Sequence, residues 1–403
     1  MLSVIYSAMS GLQSFSKGLD VISGNVANVN TPGFKGSELL FEDVFYGYDL
    51  KGEHDGSLYG SSTGRGVEAE VTTLRFTQGD FRQTQNETDA AIDGKGFFVV
   101  QRDGEYVYTR SGQFEFDDQG LLVTRSERYP VLGLNANGEL AQIDLEPLKA
   151  QPARPTTQVS FINNLSLGAT QHVIGSVNII DSLGKTVPLS VTFRNTSSTT
   201  PRSWQIEIKD AQNTVIATGG ELRFQGNGSP ETGYNTFKFT FTGSGGTAQN
   251  VTLYFGEPGS FSGATSFSGG TTSDLAVSKQ DGFVQGSLLS TTFDDQGRLT
   301  ARYTNNQSVT GMSLALAQIP NLQALRTLQG GFFHAAPGQT VDYGTAGSGP
   351  LGRILPGTVE LSNVELSQQF TDMIVVQRGY QASSQIMTAA NEMMQQLLET
   401  ARK

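Results

Sequence analysis

Cysteine is absent from this chain of 403 residues, and histidine occurs only three times. The lack of cysteine excludes disulfides and thiolate metal sites. The three histidines are His54, His172 and His334, and their wide separation favours ordinary surface or loop positions over a catalytic cluster. The sequence therefore predicts no enzyme activity, no metal site and no cofactor.

Basic residues are also scarce. The chain has 27 lysines and arginines against 38 aspartates and glutamates, a formal net charge of −11. Because nucleic-acid phosphates are bound by clustered basic side chains, no nucleic-acid partner is expected. No apolar run approaches the ~18 residues of a membrane-spanning helix. The N-terminal residues lack the basic start and unbroken apolar stretch of a secretory signal peptide. We therefore expect neither membrane insertion nor a cleaved signal.

Glycine, by contrast, is abundant. The chain contains 48 glycines, its hydrophobic content is 37% and its charged content is 16%. This profile is typical of a turn-rich β protein rather than a helical enzyme. The length exceeds that of one ordinary hydrophobic core, so two or three domains are expected.

The start of the chain has apolar side chains at steps of three or four, which predicts an amphipathic helix within residues 1–32. Gly11, Gly18 and Gly24 weaken this helix by about 1 kcal/mol each relative to alanine and allow close approach by a neighbour. The helix is expected to end at Thr31-Pro32-Gly33. The apolar stripe, which we predict to be an assembly surface, consists of Leu2, Ile5, Met9, Leu12, Phe15, Leu19, Ile22, Val26 and Val29.

The end of the chain repeats this organisation. Ser362 and Glu365 have the spacing of a capping box, and an apolar heptad repeat typical of a coiled coil follows them. These signals predict a helix over residues 362–403. Because single terminal helices are marginal in water, we expect both to become ordered by packing on each other and on further copies of the chain. The predicted C-terminal seam consists of Leu366, Phe370, Met373, Tyr380, Met387, Met394 and Leu397.

The middle of the chain has the pattern of β-structure. The expected fold is therefore multi-domain, with terminal α-helices in a coiled-coil-like inner domain and all-β middle domains of the sandwich or barrel kind. Alternation and turn signals between Lys95 and Thr124 predict three or four short strands, and Ser176–Ile180 and Trp204–Ile208 predict two more.

Composition changes suggest the domain boundaries. Three prolines after residue 146 and a Ser/Thr/Gly-rich loop over 259–274 bracket an inserted β domain. The predicted segments are an extended connector at 33–67, two parts of one β domain at 68–146 and 284–343, an inserted outer β domain at 147–283, and a second connector at 344–361.

Two further motifs have competing interpretations. Phe-Asp-Asp-Gln-Gly occurs at 116–120 and again at 293–297. A calcium loop needs oxygen ligands at further fixed offsets, so two similar hairpin turns, in one sheet system rejoined after the insertion, are favoured. The glycine-rich stretch at 344–352 lacks the Lys-Ser/Thr pair of a phosphate loop. It is interpreted as a flexible connector with hinges at Gly344, Gly347 and Gly349.

The sequence from Ser10 to Ser37 is similar to the signature of the flagellar basal-body rod and hook family. Residues 360–399 resemble the C-terminal end of that family, and residues 91–123 resemble its shared β domain. The three blocks occur in the family's order and cover about half of the chain. Gly24 departs from the commoner asparagine. The residues that match the N-terminal signature are Leu19, Asp20, Asn25, Ala27, Asn28, Thr31, Gly33, Phe34 and Lys35.

The resemblance implies a structural role. Within the family, the length and the inserted domain are similar to the subunits of the curved tube between rod and filament, rather than to the shorter distal-rod subunits. Such subunits polymerise with copies of themselves and transmit motor torque as a universal joint. The resemblance also implies export without cleavage through the flagellar type III apparatus, an extracellular position in the flagellum, and contacts with rod, hook-cap and hook–filament junction proteins.

Several alternatives remain open at the level of sequence. A long distal-rod-like subunit belongs to the same class. A β-rich adhesin or polysaccharide-acting protein would need an aromatic and carboxylate cleft, whereas the single tryptophan, Trp204, is interpreted as strand core. A membrane-surface helix usually carries several basic residues, and the N-terminal stripe has one, Lys17. The asparagines at 25, 28 and 30 fit either local helix-end hydrogen bonds or subunit contacts.

Overall fold

The computed structural model describes residues 2–43, 46–50, 60–64, 66–69, 72–243 and 245–401. The chain divides into two compact units. Unit 1 comprises Met1–Glu146, Ser290–Ala301 and Thr310–Lys403, and unit 2 comprises Pro147–Leu289 and Arg302–Val309. The insertion predicted at 147–283 thus begins where unit 2 begins. Residues 302–309 also belong to unit 2, which the sequence did not predict.

Two long helices lie at the ends of unit 1. Helix α1 spans Leu2–Ala27 and helix α2 spans Leu366–Ala401. The α1 helix ends at Ala27, four residues before the predicted end at Thr31-Pro32-Gly33, and the side-chain amide of Asn28 donates to the carbonyl oxygen of Gly24 just beyond it. The predicted capping box is wrong. The α2 helix begins at Leu366, four residues later than predicted, and Ser362 Oγ accepts from the nearby Val364 N–H instead.

Unit 1 is otherwise built from short, mostly antiparallel strands. Asp103 and Gly104 both have positive φ, which is the two-residue turn that suits the twist of a tight hairpin, and it joins two of the predicted strands. One six-stranded sheet has the strand order 326–328, 332–334, 105–109, 97–102, 316–318 and 342–344. Its core contains Phe97, Val99, Tyr108, Leu132 and Phe333.

The strands of unit 1 are Ser37–Leu39, Glu42–Asp43, Tyr46–Leu50, Gly60–Gly64, Val67–Glu68, Thr72–Leu74, Phe81–Gln83, Ala90–Asp93, Phe97–Arg102, Glu105–Thr109, Phe114–Phe116, Leu122–Thr124, Leu132–Leu134, Leu140–Gln142, Leu316–Gln318, Arg326–Leu328, Phe332–His334, Asp342–Gly344, Arg353–Pro356 and Thr358–Glu360. The strands Gly286–Phe293, Arg298–Tyr303 and Ser308–Leu314 contain residues of both units.

The two Phe-Asp-Asp-Gln-Gly motifs form the same turn. Asp117 Oδ1 accepts from the backbone N–H groups of residues 119 and 121. Asp294 Oδ1 accepts from those of residues 296 and 298. Gly120 and Gly297 both have positive φ. The hairpin interpretation is confirmed, although the two hairpins belong to different sheets rather than to one rejoined sheet.

The two predicted connectors contain regular structure, so this part of the sequence interpretation is corrected. Strands at 37–43 pair with strands within 67–74, and Tyr46–Leu50 pairs with Gly60–Gly64, so these described segments form a long β-ribbon. Arg353–Pro356 pairs with Ala90–Asp93. These pairings join residues far apart in sequence, and the segments themselves lack a clear period of two.

Unit 2 is a β-sandwich. One sheet contains the strands at 236–242, 248–254, 158–164, 264–265 and 276–280, and the other contains those at 171–180, 186–195, 203–209 and 215–223. Side chains from both sheets form one hydrophobic core, in which Trp204 is fully buried as predicted. The strands are Ala150–Gln151, Gln158–Asn164, Gln171–Ile180, Thr186–Asn195, Ser203–Lys209, Val215–Arg223, Thr236–Thr242, Ala248–Tyr254, Ala264–Thr265 and Ala276–Gln280.

The Ser/Thr/Gly-rich stretch at 259–274 is more ordered than its composition predicts. Ala264–Thr265 is a strand parallel to the end of Gln158–Asn164, and Ala264 lies in the core. The Asn164 side chain accepts from the N–H of Phe267, and Ser166 Oγ donates to the carbonyl of Gly270. Side-chain hydrogen bonds to the backbone therefore hold a segment that has little apolar surface.

Among the described residues, no helix is long and apolar enough to cross a membrane.

Candidate interface of the terminal helices

The terminal helices of unit 1 pack against each other in antiparallel orientation. Gly11 lies against Ser383, and Gly18 lies against Val376. Asn25 is hydrogen-bonded to Gln369, so each step along α1 is matched by an equal step back along α2. Continued to the start of α1, this register places Leu2 level with Glu392.

Glycine allows the two helices to approach closely. A Cβ on Gly379 would lie 2.5 Å from Cζ of Phe15, and one on Gly11 would lie 2.8 Å from Oγ of Ser383. Gly18 has Val376 Cγ1 at 3.3 Å from its ideal Cβ position. The predicted close approach therefore occurs at Gly11 and Gly18. A Cβ on Gly24 would have no atom within 4 Å, so Gly24 is not needed for a close approach.

The inward face of α1 differs from the predicted stripe. The most buried positions on this helix are Ala8, Gly11, Ser14, Gly18, Ile22 and Asn25. Of the predicted stripe, Ile22 is buried and Met9 is exposed, and the side chain of Leu2 lies outside the described residues. Half-buried positions are Ile5, Leu12, Phe15, Leu19, Val26 and, beyond the helix, Val29.

The heptad repeat of α2 is present but shifted by three residues. Gln369, Val376 and Ala390 are buried at multiples of seven and face α1. The predicted series runs from Leu366, and within it Met373 and Met387 are half-buried. Its other members remain exposed, namely Leu366, Phe370, Tyr380, Met394 and Leu397. Small and polar residues, together with Val376 and Phe15, thus make the contact between the helices, and many large apolar side chains of α2 are left exposed.

The base of the β-ribbon covers the polar side of α1. Ser14 Oγ donates to the carbonyl oxygen of Val67, and Lys17 Nζ donates to that of Ala69 at 3.0 Å. On the other strand of the ribbon, the Phe41 ring packs on Phe15 with centroids 5.7 Å apart. The polar side of α1 therefore carries part of the ribbon, whose backbone uses these side chains as hydrogen-bond partners.

Asn25 is the buried centre of the N-terminal signature. Its Nδ2 donates to Oε1 of Gln369 and to the carbonyl oxygen of Ser37, both at 2.8 Å. Its Oδ1 accepts from the N–H of Ser37 at 2.9 Å. One side chain therefore links α1, the first ribbon strand and α2. For Asn25, the alternative of a purely local helix-end role is excluded.

Lys35 lies in a fully buried ion cluster. Its Nζ is 2.6 Å from Oε1 of Glu360, and both side chains have no exposed surface. Arg110 Nη1 approaches the other carboxylate oxygen of Glu360, Oε2, at 3.5 Å. Burial lowers the pKa of Lys35, and the adjacent Glu360 carboxylate opposes that shift. Burial likewise lowers the pKa of Arg110. One carboxylate thus neutralises two buried cations in part, and its loss would leave both unpaired.

Gly33 brings the chain next to this cluster. Its φ is +72°, and a Cβ there would lie 2.4 Å from the backbone nitrogen of Ser111. Its N–H donates to the carbonyl oxygen of Glu360 at 2.8 Å. A side chain at this position would be excluded both by the conformation and by the neighbouring backbone.

The other signature residues have lesser roles. Asp20, Ala27 and Thr31 are exposed, and Leu19 and Phe34 are half-buried. Asn28 makes local bonds at the end of α1, to Gly24 and Thr31.

Sequence reasoning missed the C-terminal partners of the signature. These are Glu360, Asn363 and Gln369, together with Arg110 from the β domain. Asn363 accepts from the N–H of Gly36 and donates to the carbonyl oxygen of Arg75. One weak signal was available, because Gln369 is a polar residue on the inward side of a heptad stripe. The others have no local pattern that marks them as partners of residues more than 200 positions away.

The predicted hinge glycines lie in different settings. Gly344 is in a strand and pairs with Leu316. Gly347 and Gly349 have positive φ, and each has open space where a Cβ would stand. Of the histidines, His172 bonds to the carbonyl of Leu275, His334 lies on a strand, and His54 lies outside the described residues.

Three family models match the chain in order. The model "Flagella basal body rod protein" matches residues 5–35, and "Flagellar hook protein FlgE/F/G D1 domain" matches residues 91–161. The model "Flagellar basal body rod FlgEFG protein C-terminal" matches residues 355–400. The first and last cover the two helices and their buried junction. Both ends of the chain and the start of its β-rich middle are thus similar to the flagellar rod and hook family.

Members of this family match the chain over nearly its whole length. The flagellar hook protein FlgE of Escherichia coli is 29% identical, with 97% of this chain and 98% of that protein covered. FlgE of Borreliella burgdorferi is 28% identical, with 99% of each chain covered. A crystal structure of the Helicobacter pylori flagellar hook protein FlgE2 aligns with a TM-score of 0.46 and 13% identity, over 71% of this chain and 100% of that chain.

Proposed function

We propose that this chain is the structural subunit of a bacterial flagellar hook, and that it polymerises with copies of itself into a curved helical tube. Full-length similarity to hook proteins supports the hook role. Support for polymerisation comes from α2, whose large apolar residues Phe370, Ile374 and Val375 are 52%, 59% and 62% exposed in the single chain. A contiguous apolar helix face marks a surface that another protein covers.

The tube would act as a universal joint that transmits torque from the rod to the filament. In this proposal the paired helices line the tube, and the β-rich parts of the chain face outward.

The predicted hinges at Gly344, Gly347 and Gly349 belong to the same proposal. Proline is a poor test at Gly347 and Gly349, because its φ of about −65° cannot match their positive φ. Alanine substitutions test them better.

The partners and location are proposed with the function. They are other copies of the chain, the rod, the hook cap and hook–filament junction proteins, and the type III export apparatus. The subunit would be extracellular and exported without a cleaved signal peptide. It would be a structural protein rather than an enzyme. In unit 2, Trp204 is buried in the sandwich core and is not available to line a carbohydrate cleft.

Assembly of purified protein tests the proposal. Electron microscopy after incubation in high salt is expected to show curved tubes, whereas straight rods would favour the distal-rod alternative. Absence of any polymer over a wide concentration range would overturn the proposal.

Terminal deletions provide the matched comparison. Variants that lack residues 1–30 or 366–403 are expected not to polymerise, while fluorescence of Trp204 shows that unit 2 stays folded. Tubes formed by either variant would contradict the role of the helices. We also expect hydrogen exchange in the dilute monomer to be faster in the helices than in the β core, and to slow on assembly.

A further inference from the structure

The end of α2 extends beyond its partner. Because the register of the pair places Leu2 level with Glu392, residues 393–401 continue past the start of α1. At 1.5 Å per residue this overhang is about 13 Å long. It carries four large apolar side chains, Met393, Met394, Leu397 and Leu398, and all four are exposed, the last by 68%.

The overhang is amphipathic. Met393 and Leu397 are four residues apart, as are Met394 and Leu398, so the two pairs form adjacent rows on one side of the helix. Gln395 and Gln396 occupy the opposite side. The overhang thus has one apolar face of about two helical turns.

A groove lies toward the other end of the helix pair. It has a volume of about 400 Å³ and is bounded by α1, α2 and the first ribbon strand. The apolar part of its wall is formed by Gly18, Val21, Ile22, Leu39, Phe41, Val375 and Val376. Glu38, Arg75 and Asp372 contribute charged groups. From Gly18 to Asn25 the groove follows α1 for about 10 Å, which is close to the length of the apolar face of the overhang.

We propose that the overhang of one copy docks into the groove of the next copy. This inference rests on the proposed function and names the contact that propagates the polymer. The occupant cannot be the same molecule's own overhang. Leu397 and Asp372 lie on one continuous helix and are separated along it by about 37 Å.

The two surfaces are different patches at opposite ends of the helix pair, so the contact is head-to-tail. Contacts of this kind repeat without closing on themselves and generate helical filaments.

Disulfide trapping tests this contact. Because the chain contains no cysteine of its own, only the introduced cysteines can form a disulfide. Val375→Cys in the groove and Leu398→Cys in the overhang are combined in one chain, which is polymerised and then oxidised. The expected result is a ladder of covalent oligomers on denaturing gels. The matched control combines Leu398→Cys with Ile386→Cys, which is exposed on α2 outside the groove, and should give no ladder.

The outcomes distinguish the inference from the proposed function. Tubes without a ladder for the Val375/Leu398 pair, or with an equal ladder for the control pair, would overturn the docking contact and leave the hook proposal intact. Failure of the unmodified chain to polymerise would overturn both. If the double variant itself does not polymerise, the two single variants are mixed with a tenfold excess of unmodified chain, and a crosslinked pair is still expected.

A charge substitution gives an independent measurement. Leu397→Asp/Leu398→Asp is expected to raise the concentration needed for polymerisation more than tenfold, because it places two carboxylates on the docking face. Gln395→Asp/Gln396→Asp adds the same charge to the same overhang on its polar face and should change that concentration less than threefold. Equal effects of the two variants would show that the apolar face of the overhang is not docked.

Discussion

Asn25 and Gln369 are 344 positions apart in the chain, yet their side-chain amides are joined by a buried hydrogen bond of 2.8 Å. Asn25 also forms two bonds with the backbone of Ser37. The pair fixes which turn of α1 meets which turn of α2. The two chain ends are therefore held in register at their junction with the β domain rather than along the helices alone.

Asn25→Ala is expected to lower the free energy of unfolding of unit 1 by about 2–4 kcal/mol, because it leaves Gln369 and the Ser37 backbone without partners in a buried site. Asn28→Ala is the matched control from the same signature. Its bonds are local and exposed, so the change should stay within about 0.5 kcal/mol. Denaturant unfolding followed by helical circular dichroism measures both. Similar losses for the two variants would refute this role of Asn25.

Gly379→Leu is expected to destabilise the helix pair by about 2–3 kcal/mol, since a Cβ alone would already lie 2.5 Å from the Phe15 ring. Gly24→Leu places the same side chain in a helix position with nothing within 4 Å and should stabilise α1 by about 0.5–1 kcal/mol. Thermal melts monitored by circular dichroism should move in opposite directions. A shift of the same sign in both would mean that close approach at Gly379 is not required.

Glu360→Gln is expected to cost unit 1 about 3–5 kcal/mol, because Lys35 and Arg110 are then buried without a counter-charge. Glu392→Gln, an exposed position on α2, is the control and should be nearly neutral. Trp204 is the single tryptophan and lies in unit 2, so its fluorescence reports unit 2 separately. Loss of unit 2 together with unit 1 would contradict a local effect of this carboxylate.

The alkaline pH dependence of stability should contain a contribution from Lys35. Burial lowers its pKa in the folded chain below the value of 10.5 that it has when unfolded. Between these two pKa values the unfolded state binds more protons, so this contribution to stability rises with pH. The free energy of unfolding of the native chain relative to Lys35→Met is therefore expected to increase as pH rises toward 10.5. A constant or falling difference in unit 1 would show that the pKa of Lys35 is not lowered.

The sequence predicts those elements whose signals are local. The step of three or four identifies both helices, and Thr31-Pro32-Gly33 predicts the end of the first to within four residues. The Asp103-Gly104 turn and the two Phe-Asp-Asp-Gln-Gly turns identify hairpins, because a carboxylate that bonds nearby N–H groups and a glycine with positive φ are properties of a few adjacent residues.

The C-terminal capping box shows the limit of such signals. Ser362 and Glu365 have the right spacing, but the helix begins at Leu366 because Asn363 is bonded to Gly36 and Arg75 instead. A tertiary contact overrides the local preference here. The same holds for the first connector, whose strands form a ribbon by pairing positions such as Ser37 and Leu74.

The sequence by itself determined the class of this protein: two terminal helices, a β-rich middle, and the family signature between Leu19 and Lys35. Tertiary structure alone decided which faces of the helices meet. Hydrophobic periodicity predicts that large apolar residues form the contact, whereas close packing between these helices places glycine, alanine and serine at much of it and leaves Phe370 and Tyr380 exposed. Tertiary structure also decided that Lys35 pairs with Glu360, because an ion pair between residues so distant in sequence leaves no local pattern.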